Sequence, residues 1–287
     1  MSDVSLDINE GELFGLIGSD GAGKTTLFRT IATLYKPDSG HASVLGYDTV
    51  KDYKNIRPLL GYMPGRFSLY QDLTVEENIR FFASVFGTTV EENYQMIEPV
   101  YRQIEPFKNR LAGNLSGGMK QKLALSYALI HKPRLLILDE PTTGVDAVSR
   151  KEFWEMLQLL VSEVTIIVAT PYMEEAVLCN RVAFIQEGKI LQVDTPDQII
   201  SSFSKPLFRI SSENRFTLIH TLKGYPFADS VYVFGTGIHY TDRRGIPDMD
   251  QLRDYLKNQG LKGFEIERIL PGIEDSFMLE MTKDLPV

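Results

Sequence analysis

A single cysteine, Cys179, stands among 287 residues, so no intrachain disulfide and no cysteine-rich zinc site is available. That thiol reads as a small buried hydrophobe. Histidine is scarce too: His41, His131, His220 and His239 fall at no metal-ligating spacing and read as structural or exposed. No apolar run approaches the roughly 18 residues of a membrane-spanning helix, and no basic-then-apolar stretch opens the chain. A cytoplasmic location is therefore expected. A basic surplus is also missing. Lys+Arg 30 against Asp+Glu 38 gives a net charge of -8 and a pI near 5.2, which argues against broad nucleic-acid binding. What remains is an ordinary globular composition, 43% hydrophobic, in a chain long enough for one large domain and a small one, or two of medium size.

Against that plain background stands GSDGAGKTT, Gly18 to Thr26, which fits the phosphate-cradling pattern GxxxxGK[ST] at Gly18, Gly23, Lys24 and Thr25. The apolar run LFGLIG before it predicts a strand. Leu27, Ile31 and Leu34 after it, at i, i+4 and i+7, predict a helix laid on a sheet. A strand, a glycine turn and a helix start aim backbone N–H groups and the positive helix end at one point, which suits a polyphosphate. Gly21 and Gly23 let the backbone approach the oxygens, Lys24 supplies a cation, and Thr25 offers a hydroxyl to Mg²⁺. Ser19, Asp20, Ala22 and Thr26 complete the loop.

Upstream, VSLDINEGE (Val4 to Glu12) alternates polar and apolar positions and reads as a strand turning at Glu10-Gly11. Downstream, KPDSG is a turn, HASVLGYD a strand, and GYMPG a short strand ended by Pro64 and Gly65. From Leu73 to about Lys108 the pattern is helical. Thr74 and Glu77 form a capping box, and a second helix is expected over about Val90–Ile104. LSGGMKQ, Leu115 to Gln121, then places Ser116, Gly117 and Gly118 at a second helix start suited to an anion, with Met119, Leu123, Tyr127 and Ile130 on one apolar side. LLILDEP follows as a buried strand ending in two carboxylates. Asp139 is suited to Mg²⁺ and Glu140 to polarising a water.

The ordered set GSDGAGKTT, LSGGMKQK, LLILDEP and TTGVD, the last ending at Asp146, resembles the ATPase subunits of ATP-binding cassette (ABC) transporters over about Val4 to Phe203. The resemblance implies an α/β P-loop NTPase fold with an inserted helical subdomain at about 73–130. It also implies a head-to-tail dimer with a second ABC ATPase domain, identical or different, in which each ATP lies between one domain's Walker A loop and the other's LSGG helix. In that family Lys24 would hold the phosphates, Thr25 and Asp139 the Mg²⁺, and Glu140 would act as general base. Ser116, Gly117 and Gly118 would reach the nucleotide bound by the partner, and Asp146 would communicate between sites. A membrane permease would be the other partner, docking near Gly65 to Asp72 and the helical insert, and the chain would sit peripherally on the inner face of the membrane. Two departures stand out. Gly65 occupies the place of the usual glutamine, and Pro171, in ATPYMEEA, that of the usual histidine. They raise the alternative of a degenerate half that clamps ATP without efficient hydrolysis. A soluble ABC clamp on a ribosome or DNA is a further alternative.

The tail from 204 to 287 predicts the order βαββαβ and then a helix Ile273–Met281, a small ferredoxin-like α+β domain. PGIEDSFMLEM is similar to endings on exporter ATPase subunits. Arg243 and Arg244 read as a solvated turn.

Overall fold

The computed structural model describes residues 1, 3–65 and 69–283. Two compact units divide it, Met1–Pro196 and Asp197–Val287.

In the first unit five strands run parallel: Leu13–Ile17 (β1), Leu60–Met63 (β4), Leu135–Asp139 (β5), Thr165–Thr170 (β6) and Arg181–Gln186 (β7). Lys189–Asp194 (β8) returns antiparallel, giving the order β4-β5-β6-β1-β7-β8. Two further strands, Ser43–Val44 (β2) and Tyr47–Asp48 (β3), form a small hairpin turned at Leu45 and Gly46, both with positive φ. The sheet is buried on both faces, which is why its strands read as continuous apolar runs. Phe14, Leu16, Ile137, Ile167, Ala169, Ala183 and Ile185 make one face, packed with Phe28 and Ala32. The hairpin between β7 and β8 turns at Glu187 and Gly188, again both at positive φ.

Helix Lys24–Ile31 (α1) leaves the phosphate loop as expected and packs Leu27 and Ile31 against the core, but Leu34 lies beyond its end. Leu34 is 53% exposed, while Phe28 is fully buried. The register is set by Lys24, whose side chain must face the loop. Val4–Glu12 is not a strand. Asn9 N–H donates to the Glu12 carboxylate at 2.6 Å, a local turn that replaces ladder pairing, and Leu6 and Ile8 pack against the core instead.

The insert holds Val75–Val85 (α3) and Tyr94–Tyr101 (α4), after a short helix Tyr53–Ile56 (α2). The capping box at Thr74 and Glu77 is present in full. Helix α4 is shorter than its apolar spacing suggests because Thr89 and Glu92 bond each other's backbone N–H and close a turn ahead of it. Gly117–Leu129 (α5) follows. It is buried on every side from Leu123 to Leu129 rather than on one face, since β4 and α3 and α4 enclose it. At Gly61 a Cβ would come within 2.4 Å of the Ala128 carbonyl, so glycine lets α5 lie against β4. Ala147–Leu160 (α6) and Met173–Ala176 (α7) complete this unit.

The second unit takes in most of Pro196–Ser201 (α8), then Leu207–Ser211 (β9), Arg215–Lys223 (α9), Ala228–Phe234 (β10), Gly237–Asp242 (β11), Met249–Asn258 (α10), Glu265–Ile269 (β12) and Ile273–Lys283 (α11). Its sheet runs antiparallel in the order β10-β11-β9-β12. That βαββαβ arrangement has the ferredoxin-like order. Helix α8 groups here because the Ser276 hydroxyl of α11 donates to the Ile199 carbonyl. Asp275 is the buried centre of the unit's C-terminal helix contact, accepting from His239, Tyr232 and the Gly272 N–H. Burial pushes its carboxyl up, but these hydrogen bonds outweigh burial and hold it below the usual range. Arg243 and Arg244 sit in an exposed turn, as their sequence suggests, but both side chains are tied down. Arg244 lies 3.8 Å over the Phe227 ring and pairs with buried Asp242 at 2.8 Å, and Arg243 donates to the Ala228 carbonyl. Sequence spacing showed two cations beside a glycine and nothing of the aromatic beneath. No helix among the described residues is long and apolar enough to cross a membrane.

Candidate nucleotide site

The phosphate loop begins where β1 ends. Gly18 N–H donates to the Thr170 carbonyl at 3.4 Å, and a Cβ at Gly18 would stand 2.2 Å from the Ile185 carbonyl, so no other residue fits without moving backbone. Gly21 and Gly23 take φ of 80° and 107°, the left-handed conformations that let the chain turn tightly into the start of α1. Ser19 donates to Gln186 at 3.0 Å, Ala22 is buried in the core, and Thr26 carbonyl receives the Thr30 hydroxyl. Asp20 is exposed at the loop tip.

Lys24 is 3% exposed. Its ammonium donates to the Gly18 and Ser19 carbonyls at 2.8 and 3.0 Å and lies 3.3 Å from Glu140 Oε1. Beside it the Thr25 hydroxyl donates to Asp139 Oδ1 at 3.0 Å. Burial raises the Asp139 carboxyl above its usual range, Thr25 offsets part of that, and the neighbouring Glu140 charge adds to it. A buried carboxylate so placed gains from a cation. Glu140 takes φ of 51°, a left-handed conformation unusual for glutamate, held by its N–H on the Ala169 carbonyl at 2.9 Å. Gly18, Lys24, Thr25, Asp139 and Glu140 thus converge.

Ser116 and Asp146 form a second group. Ser116 caps α5 by accepting from Met119 N–H, and Asp146 caps α6 by accepting from Val148 and Ser149 N–H. Both are exposed. Gly117 and Gly118 pack this tip against the Asp146 loop: a Cβ at Gly117 would stand 3.6 Å from the Gly144 carbonyl, and one at Gly118 2.7 Å from Ser149 Oγ. The hydrogen bonds of Ser116 run to its own helix, while those of Lys24 and Thr25 run to their loop and β5.

Four residues in this wiring escaped the sequence reading. The Gln121 amide donates to the Pro141 carbonyl, and buried Glu175 accepts from the Thr142 and Thr170 hydroxyls at 2.7 and 2.5 Å. In sequence Glu175 is one of two adjacent glutamates in a short polar turn, and nothing there marks which one is inside. Pro171 follows Thr170 directly, and Gly65 lies against β5, where a Cβ would come within 3.1 Å of the Asp139 carbonyl. Of the stretch Gly65 to Asp72, expected to meet a membrane partner, Arg66, Phe67 and Ser68 lie outside the described residues.

A mostly parallel sheet with a glycine phosphate loop at the end of one strand, an aspartate at the end of another and a helical insert defines a P-loop cassette of the α/β class. A family profile described as ABC transporter matches residues 1–143. The chain is 38% identical over 282 residues, 96% of its length, to the probable multidrug ABC transporter ATP-binding protein YbhF of Escherichia coli (strain K12), of which it covers 48%. It is 34% identical over 281 residues to the Nod factor export ATP-binding protein I of Rhizobium sp. (strain N33), covering 96% of this chain and 90% of that one. A solved dimeric ATP-binding cassette, described as a post-hydrolysis state bound to ADP and Pi, superposes with a TM-score of 0.59 at 26% identity, over 66% of this chain and 88% of that one. The chain belongs to the ATP-binding proteins of the ABC transporter family. It spans about half the length of YbhF.

Proposed function

We propose that this chain is the ATP-binding motor subunit of an exporter-type ABC complex, hydrolysing ATP with water to ADP and phosphate at a dimer interface and driving a membrane permease. The observation that carries the reading is the placing of one buried ammonium, that of Lys24, between its own loop's carbonyls and the Glu140 carboxylate, with the Thr25–Asp139 pair alongside. The amides of Gly23 to Thr26 and the Lys24 ammonium bind the phosphates. Two oxygen donors, Thr25 and Asp139, fit Mg²⁺, which takes few protein ligands and completes its shell with phosphate and water. Bound there, the ion would neutralise phosphate charge. Glu140 orients the attacking water and accepts its proton. Ser116, Gly117 and Gly118 present a helix start and an exposed hydroxyl to the nucleotide of a neighbouring cassette, and Asp146 faces the same neighbour.

The relatives' names, multidrug transport and Nod factor export, support an exporter, and the dimeric post-hydrolysis neighbour supports paired cassettes. A peripheral position on the inner membrane face follows from a permease partner. A second reading rests on Gly65 and Pro171. Neither provides a side chain that reaches a γ-phosphate or a water with a hydrogen bond, so turnover at this chain's own site is slow while clamping is retained.

Steady-state hydrolysis by the purified chain with Mg²⁺ tests the assignment. Release of phosphate that Glu140→Gln abolishes is expected. Release that is indifferent to Glu140→Gln overturns the role of that residue.

A further inference from the structure

The geometry points to Glu175 as a positioning residue that holds the Glu140 turn and the end of β6 in one fixed relation; this rests on the proposed role of Glu140. Glu175 is 1% exposed on the short helix α7. Both of its oxygens are used. Oε1 accepts from the Thr142 hydroxyl at 2.7 Å and Oε2 from the Thr170 hydroxyl at 2.5 Å, and both threonines are fully buried.

Each threonine belongs to a segment that matters. Thr142 is two residues after Glu140, at the base of the loop leading to Asp146. Thr170 ends β6; its carbonyl receives the Gly18 N–H of the phosphate loop, its hydroxyl also receives the Tyr172 N–H, and the residue before it receives the Glu140 N–H. The left-handed Glu140 is therefore anchored through Thr142 to Glu175 and through its own N–H to the strand that Glu175 also grips. Gln121 holds the intervening Pro141 carbonyl from the other side. A conformation of that kind persists only when its surroundings over-determine it.

A cation also faces the carboxylate. The Arg150 guanidinium reaches 3.9 Å from Oε1 by its Nε while stacking 4.2 Å over Tyr172 and pairing with Glu174 at 3.1 Å. The residues that tie Glu175 down thus come from α6, β6 and the Glu140 turn. A displacement of the Asp146 loop by a neighbouring cassette would reach Thr170 and the first amide of the phosphate loop through one side chain.

The experiment severs the clasp at the arm farthest from Glu140. In the full-length chain, amide hydrogen exchange is measured for wild type, Thr170→Val, Glu175→Ala and the double variant, with phosphate release in parallel. Thr170→Val and Glu175→Ala are expected to raise exchange several-fold across residues 139–146, with no further rise in the double variant. Thr142→Val is expected to lower kcat about tenfold with KM for ATP within about twofold, and Thr142→Ser to restore it, because only the hydroxyl is needed. Changes confined to 168–177, or additive in the double variant, overturn the clasp. So does a loss of melting temperature in Thr142→Val with kcat unchanged. The isosteric threonine variants carry the result if Glu175→Ala does not fold. A wild-type chain without Glu140-dependent hydrolysis counts against the proposed activity, and the exchange comparison then decides the clasp alone.

Discussion

Lys24 Nζ lies 3.3 Å from Glu140 Oε1, so the cation of the phosphate loop and the carboxylate ending the Asp139–Glu140 pair are in direct electrostatic contact, although β6 separates the strands β1 and β5 that lead to them. The lysine is buried and the glutamate partly exposed, which leaves the carboxylate free to turn toward an incoming water while the ammonium stays with the loop. Lys24→Met keeps the length and removes the charge. Phosphate release is expected to fall about a hundredfold, the usual effect of losing a preorganised charged donor. Retention of more than half the wild-type rate would contradict this.

Glycine requirements in the loop differ in kind. At Gly18 a Cβ meets the Ile185 carbonyl at 2.2 Å, whereas at Gly21 it meets nothing within 4 Å and only the φ of 80° opposes a side chain. Gly18→Ala is expected to destabilise the first unit by about 3 kcal/mol, as overpacking against backbone does, and Gly21→Ala by about 1 kcal/mol. Urea unfolding measures both, and the reverse order would show the loop relaxing in a way the packing does not allow.

Much of this was legible beforehand, and for a physical reason. Residue types suited to phosphate or metal are few and occur at fixed spacing, so Lys24, Thr25, Asp139 and Ser116, the residues proposed for those roles, stand out in one dimension. The residues that hold them are not so confined. Glu175 needs only to be buried next to two hydroxyls, and Thr142 and Thr170 are distant in sequence and ordinary in type. Helix α1 shows a related gap: Lys24 faces inward at its loop, so Phe28, one turn on, is fully buried beside the Leu27 and Ile31 that periodicity marks. Arg244 lies over Phe227, a contact that only the folded turn creates.

Pro171 offers no donor where it follows Thr170, so restoring one has a defined sign. Pro171→His is expected to raise the hydrolysis rate at least about tenfold, with Glu140→Gln abolishing the gain. An unchanged rate would mean that the missing donor does not limit turnover.

His131 stacks on Phe86 with ring centroids 3.8 Å apart and bonds the Leu60 carbonyl at 3.1 Å. Burial lowers its pKa below the ordinary 6.5. With the folded value below the unfolded one, the unfolded chain takes up the proton first, so this contribution to stability is fully present above 6.5 and lost as pH falls below it. Urea midpoints of the first unit from about pH 7 to about 5.5 are expected to fall less steeply in His131→Gln than in wild type. Equal slopes would place the pH dependence elsewhere.

The proposed motor holds its triphosphate between the amides of one molecule's loop and the Ser116 tip of another. Cysteines placed at Ser19 and Ser116 in a Glu140→Gln background test it most directly, since the native Cys179 is buried and burial pushes its thiol well above the usual range. A short bifunctional thiol reagent is applied to this chain, alone and with any cassette subunit that co-purifies carrying the matching cysteine. A covalent dimer that forms with Mg-ATP and not without nucleotide is the predicted result. Crosslinking that is indifferent to nucleotide, or that yields only monomer in both preparations, would contradict it.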